Sequence, residues 1–522
     1  MLFNDPVFLF VFLPATVAAA ALIRRLGGPR GVLGLLVLAS ILFYGWWNPI
    51  YLPLLAGLAF FNFGIARAII AARRSGQDGN VRLLLAIGVG GDLLALGYFK
   101  YTDFFIGTAD ALLHTSVPLQ HIVLPLGISF FTFQKIAYLV DASRGEMEEH
   151  DFLEYCFFVM FFPQLIAGPI VHHREIFSQT KGRRALAIQP GNLMVGLTIF
   201  LIGLFKKVVL ADNLAPVAAG IFDAAEHGDS LHFLLAWQGA IAYALQLYFD
   251  FSGYSDMAIG AARLFGIRLP LNFNSPYQAT SIIEFWRRWH MTLSRFLRDY
   301  LYIALGGNRK GKARRYLNLL LTMTIGGLWH GAAWNFVLWG FVHGAFLIVN
   351  HGWRAVWRPI DRWWSRGIAR MVTFIAVVLA WVLFRAPSLG AAVQVYRGMI
   401  NLPRPLGDWL GPVATAFERV GVRFEGPPVE NTDLSLFAWL IAWLALLWLV
   451  PNTQQLLARF RPAFAYGLAE RARDMPVLAR SQLLRALVEW RPNAVWGALV
   501  GVLAALAALS LQHVSEFLYF EF

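Results

Sequence analysis

The stretch Gly326–Gly344, "GGLWHGAAWNFVLWGFVHG", sets His330 between tryptophans in a segment otherwise fit for lipid or a dry core. Basic residues at Arg315 and beyond His351 place both of its ends on one side of a membrane. The interval between them must cross and return within about 35 residues, roughly 52 Å of helix at 1.5 Å per residue. Two full crossings of a hydrocarbon core need about 60 Å plus a turn. Either the bilayer thins here or the hairpin turns inside protein. Both put an ionisable group deeper than its surroundings favour, and such groups line paths or sites more often than they merely pack.

The rest of the chain agrees with a membrane setting. Of 522 residues, 58% are hydrophobic and only 14% are Asp, Glu, Lys or Arg, against about a quarter in soluble domains. Mean hydropathy is +0.56. Runs long enough to span recur near 6–23, 81–99, 121–140, 192–210, 371–384 extended upstream, 436–450 and 494–511. These observations predict an all-α polytopic membrane protein and exclude a soluble domain. The short alternating strands of an outer-membrane barrel are absent. The lone Cys156 excludes an intramolecular disulfide framework and a cysteine metal cluster. The net charge of +13 reads as basic loops facing anionic lipid, not as a nucleic-acid footprint.

Basic loops "RRLGGPR" (24–30) and "ARRSGQDGNVR" (72–82) are expected in the cytoplasm, which puts the amino terminus outside and makes the first apolar run a retained helix. Residues 385–434 read as an external Pro/Gly-rich connection, the Arg-rich stretches 353–370 and 451–493 as cytoplasmic, and the carboxyl terminus as external. "CFFVMFFPQLIAGPIVHHRE" (156–175) carries Pro163, Gly168 and Pro169, and fits a broken span or a re-entrant element. From 284 to 315 nine Arg or Lys residues meet two acids, with aromatics interleaved. That pattern predicts either an amphipathic interfacial helix or a vestibule attracting a phosphate-bearing substrate. "GGNRKG" lacks the spacing of a phosphate-binding loop.

Imidazole suits a general base, since its ordinary pKa lies near working pH and a hydroxyl nucleophile needs help losing its proton. Several histidines compete for that role. His330 and His343 stand thirteen residues apart, not the four of a zinc-binding pair, so no metal is expected. The His172–His173 pair flanks a basic loop and reads as surface, His351 as interfacial at a helix end, and His343 as packing. His290 follows "FWRRW", where the basic segment meets the core, and is balanced between packing and chemistry. No serine elbow accompanies them, which favours direct transfer over a covalent enzyme intermediate.

Five stretches carry a resemblance: "PLGISFFTFQKIAYLVD" (Pro125–Asp141), "FFPQLIAGPI" (Phe161–Ile170), "LYFDFSGYSDMAIGAARLFGI" (Leu247–Ile267), "NFNSPYQATSIIEFWRRWHMTLSRFLRDYLYIALGGNRKG" (Asn272–Gly311) and "LWHGAAWNFVLWGFVHG" (Leu328–Gly344). The chain resembles the membrane-bound O-acyltransferase family, and within it the branch serving alginate O-acetylation. The likeness covers the core from the first helix to about residue 385, with little motif content in 386–522. It implies a single membrane-embedded domain over 1–522, with about 11–13 embedded segments and a central tunnel joining the two faces. It implies that His330 is catalytic and that His290 is the second functional position, near the cytoplasmic mouth. Arg287, Arg288, Trp289 and Arg295 become candidates for lining the donor entrance, while Trp334 and Asn335 shape the hairpin. The implied donor is acetyl-CoA, as a substrate with no tightly bound cofactor. The implied partners are a periplasmic acetyltransferase or other acyl-accepting protein, polysaccharide synthesis and export machinery, and membrane lipid in the bacterial inner membrane, with no nucleic acid. Two other classes fit the hydropathy: an acyl-group or glycan transporter with histidine proton relays, and a scaffold of a polysaccharide export complex.

Overall fold

In the computed structural model, described for residues 1–147, 149–182, 185–357, 362–426, 434–474, 489–511 and 518, apolar sequence becomes helix nearly throughout. Helices α1 (Leu13–Leu26), α2 (Gly28–Trp47), α3 (Leu52–Arg74) and α4 (Asp78–Leu96) run back and forth. A wide π turn, Gly97–Tyr101, then leads into α5 (Thr102–Leu113). Seven helical stretches among the described residues are long and apolar enough to cross a membrane, and Leu434–Leu449 and Ala494–Leu509 are shorter apolar helices. The chain is a multi-pass, all-α membrane protein.

Ion pairs and hydrogen bonds mark out two faces. On one, Arg30 pairs with Asp151 at 2.8 Å and Arg74 with Glu149 at 3.0 Å. The Arg73 guanidinium donates to the Ser143 carbonyl nearby. On the far face Tyr51 donates to the Val123 carbonyl, and Asp103 accepts the amides of Gln120 and His121. The run expected as a span at 121–140 becomes helix only at α6 (Ile128–Arg144).

The segment 156–175 resolves as re-entrant. Helix α7 (Phe152–Met160) starts at Asp151 on the basic face and breaks at Phe161. The short α8 (Phe162–Leu165) follows, and the chain returns to α9 (His173–Thr180), where Arg174 meets Glu146 on that same face. Its irregular backbone is enclosed by protein; Ile166, Ala167, Ile170 and Val171 are all buried.

Helices α10 (Pro190–Phe205), α11 (Asp212–Glu226) and the 32-residue α12 (Phe233–Leu264) build the centre. Gly203 and Gly253 let α10 and α12 touch backbone to backbone, since a Cβ on either would stand within 2.8 Å of the other's carbonyl. Lys206 and Lys207, in a π turn after α10, pair with Asp256 and Asp250 of α12, each at 2.7 Å.

The basic stretch 284–315 is not one surface helix. It forms α13 (Ile282–Trp286), α14 (Met291–Phe296) and a π turn Leu297–Tyr302, because buried aromatics on several sides pull it into the protein. The hairpin follows as α15 (Gly311–His330) and α16 (Trp334–Val356), then α17 (Trp363–Arg385) and α18 (Leu389–Met399). The connection expected at 385–434 also holds a parallel strand pair, β1 (Asn401–Pro403) and β2 (Arg423–Gly426). Part of the basic stretch 451–493 lies outside the described residues; its described part includes Thr453, Gln454 and Gln455, which are buried.

Candidate active site

Helix α15 ends at His330 because Gly331 is extended (φ −152°, ψ 148°), and α16 begins only after Ala333, also extended. The crossing of the two helices is made by Gly327 and Gly340: a Cβ on Gly327 would collide with the Phe336 carbonyl, and one on Gly340 with that of Met323. Backbone contact therefore fixes the hairpin tip. Both helices carry their terminal arginines within the helix, so the hairpin is longer than the 35 residues inferred from charge. Its tip is enclosed by protein, with Trp329, His330 and Phe336 all buried.

The His330 imidazole is 5% exposed. Trp329, Trp339 and Phe384 surround it with ring centroids 5.0, 5.2 and 5.4 Å away. The ring of His290 lies 6.4 Å off. These two sequence-predicted residues are thus brought together in an aromatic chamber.

His290 caps α14 with a left-handed backbone, φ 41° and ψ 54°, a conformation uncommon for residues other than glycine. Its Nδ1 lies 3.0 Å from Asn272 Oδ1, which also accepts from Thr292 Oγ1 at 2.9 Å. The Asn272 amide in turn donates to Ser255 Oγ on α12. A carboxamide oxygen only accepts, so Nδ1 carries the hydrogen and the neutral ring keeps its lone pair on Nε2. That Nε2 is buried and makes no hydrogen bond among the described residues. His343 instead accepts the Trp286 indole hydrogen at Nδ1 and packs on Trp339.

A cavity of about 890 Å³ opens from the basic face. Arg287, Arg295, Arg298 and Arg315 stand in its wall with Trp286 and Thr292. The last two touch His343 and Asn272, which respectively pack on Trp339 and bond His290, so the cavity wall adjoins the histidine chamber. Of the four donor-entrance candidates, Arg287 and Arg295 line this cavity and Arg288 and Trp289 do not. Arg295 forks onto Glu175 at 2.5 and 2.9 Å. Arg288 holds Glu284 and the Asn274 carbonyl. Trp289 is buried, stacked on Phe285 and close to Trp381. Burial raises the Glu284 carboxyl, but the Thr280 amide, the Arg288 guanidinium and the Thr280 hydroxyl outweigh it and leave it below its ordinary value.

His173 is buried, contrary to its expected surface position, and His172 is half-buried. Both reach Asp141, at 3.1 and 2.8 Å, and Tyr300 donates to the same carboxylate. The Arg174 amide faces Nδ1 of His172, which keeps the ring's hydrogen on the Nε2 that meets Asp141. Metal ligation through Nε2 needs the opposite tautomer, and the trio acts as a hydrogen-bonded tie between α6, α9 and the π turn.

Reading the sequence alone missed Asn272, Lys100 and the described part of the segment after α18, from which Phe464, Ala465 and Tyr466 reach the cavity wall. Lys100 carried a signal: a lysine at the edge of an apolar run is a site candidate by default. Asn272 and Phe464 carried none that local pattern reveals.

Comparison with known proteins matches residues 96–389 to MBOAT, the membrane-bound O-acyltransferase family. The chain is 44% identical over 428 residues to the peptidoglycan O-acetyltransferase of Helicobacter pylori, covering 77% of this chain and 80% of that protein. It is 37% identical to the probable alginate O-acetylase AlgI of Pseudomonas aeruginosa over the full length of both. It is 28% identical to the teichoic acid D-alanyltransferase of Bacillus subtilis, over 51% of this chain and 70% of that one. With over half its length matched by the family and its histidine chamber enclosed by the matched residues, the chain belongs to the membrane-bound O-acyltransferases.

Proposed function

We propose that this acyltransferase takes an acetyl group from acetyl-CoA at the cytoplasmic face of the bacterial inner membrane. It passes the group toward a hydroxyl arriving from the periplasm, for O-acetylation of an alginate-like exopolysaccharide. The observation that carries the reading is the pairing of His290 and His330, with ring centroids 6.4 Å apart in an apolar chamber beside a cavity walled by arginines. The arginines supply what phosphates of a nucleotide donor need, and excess basic residues on that face suit the cytoplasm.

His330 accepts the proton of the acceptor hydroxyl as its oxygen attacks the thioester carbonyl. The new C–O bond forms, the C–S bond breaks, and the imidazolium returns its proton to the departing thiolate. An ester and free thiol result. His290, with Nδ1–H on Asn272, offers Nε2 toward the same chamber and orients the reacting groups. The immediate acceptor is a serine of a periplasmic acetyltransferase, working beside the polymer's synthesis and export machinery. A second acceptor, a peptidoglycan sugar, is favoured by the likeness to the Helicobacter pylori protein.

Transfer of radiolabelled acetyl from acetyl-CoA to a co-purified periplasmic partner tests the reading. His330→Ala should abolish labelling in a protein that still elutes as a single species. Full labelling by that variant overturns His330's role, and transmembrane flux of acetyl-CoA or glycan without labelling overturns the reaction.

A further inference from the structure

The last four carbonyls of any α-helix lack partners in the helix itself. In α15 those carbonyls belong to the turn that ends on His330, and most of them are met from a single neighbouring segment. The Lys100 ammonium donates to the carbonyls of Trp329 and His330, at 2.7 and 2.9 Å. The next residue, Tyr101, donates its hydroxyl to the Leu328 carbonyl at 2.9 Å. Both side chains leave the π turn Gly97–Tyr101, whose wider coil lets two consecutive residues reach one helix end. Such turns occur often at functional sites. Lys100 is half-buried, and its charge lies where the helix carries its negative end.

We infer that Lys100 and Tyr101 are positioning residues for acyl transfer, a cap that fixes the terminal turn of α15 and thereby the direction of the His330 ring. The inference rests on the catalytic reading of His330. Two alternatives for the lysine are weaker on the same observations. A solubilising surface lysine would point away from the protein, not into three consecutive carbonyls with its neighbour. A purely structural tie needs only one of these bonds, since the Gly327–Gly340 crossing already joins α15 to α16. The crossing holds α15 to α16 at Gly327, and the cap holds the carbonyls of the three residues that follow, ending on His330. Without it His330 keeps its helix but loses its aim, and a displacement of about 1 Å at a reacting group costs on the order of 10²-fold in rate.

The full-length protein is assayed by acetyl transfer as above, with Lys100→Met, Lys100→Arg, Tyr101→Phe and His330→Ala. Lys100→Met is expected to lower kcat about 10²-fold while KM for acetyl-CoA moves less than about threefold. Lys100→Arg should restore most of kcat, because a guanidinium also donates to two carbonyls. A kcat for Lys100→Met within about threefold of the parent overturns the inference. So does a loss that Lys100→Arg shares in full. Should Lys100→Met aggregate, Tyr101→Phe decides: a selective fall in kcat supports the cap and an unchanged kcat overturns it. If His330→Ala turns over normally, the catalytic reading fails first. If His330→Ala is dead and Lys100→Met is normal, only the present inference fails.

Discussion

Asn272 Oδ1 lies 3.0 Å from His290 Nδ1, and this one hydrogen bond sets which nitrogen of the ring faces the chamber. Asn272→Ala removes the acceptor for both His290 and Thr292. Each buried donor left unpaired costs about 1–3 kcal/mol. The expected outcome is a lower unfolding temperature together with a fall in kcat, read by thermal unfolding and acetyl transfer. Asn272→Asp, which keeps an acceptor in place, should recover most of the stability.

The Gly327–Gly340 crossing gives a second expectation. A methyl at 340 meets the Met323 carbonyl and the Thr324 Cα, so Gly340→Ala must spread α15 from α16. Overpacking of this kind costs about 1–3 kcal/mol. Acyl transfer should fall further than stability does, because the shift lands on the turn bearing His330. Matched unfolding and kinetic measurements on one preparation separate the two effects.

At the cavity, Arg287 is an exposed residue of the wall. Arg287→Ala should raise KM for a phosphate-bearing donor about tenfold, the worth of one charge-assisted hydrogen bond, with kcat unchanged. Added salt should weaken donor binding in the parent more than in the variant. Arg295→Ala should also lower stability, because it strands Glu175, whose side chain is 10% exposed.

Glu284 sets a pH expectation. Its carboxyl sits below its ordinary value in the folded protein. A depressed carboxylate contributes stability above the unfolded-state value, lost as pH falls through the folded one. Glu284→Gln should therefore be less stable than the parent at pH 7. The two unfolding midpoints should converge as the solution is acidified below the carboxylate range. A constant gap across that range contradicts the assignment.

The membrane setting and the burial of His330 were legible because both are local signals: long apolar runs, and an ionisable residue where few belong; His290 came beside it only through the family resemblance. Charge alone sets the hairpin too short, because α15 and α16 carry Arg315 and Arg354 within their own turns. His173 was misplaced for a related reason: a histidine next to arginine looks exposed until Asp141 is brought in from α6. Asn272, Lys100 and Phe464 act across chain distances that no periodicity records.

The left-handed backbone of His290 bears on how any mutational scan there is read. Alanine is disfavoured at φ 41°, so His290→Ala changes the loop's shape as well as removing the ring. Asparagine tolerates that region better than most residues. His290→Asn therefore removes the ring with little backbone strain, and the gap between His290→Gly and His290→Ala reports the backbone's share. An alanine scan would merge the two and overstate the chemistry of this histidine relative to His330, whose helical backbone accepts alanine without strain.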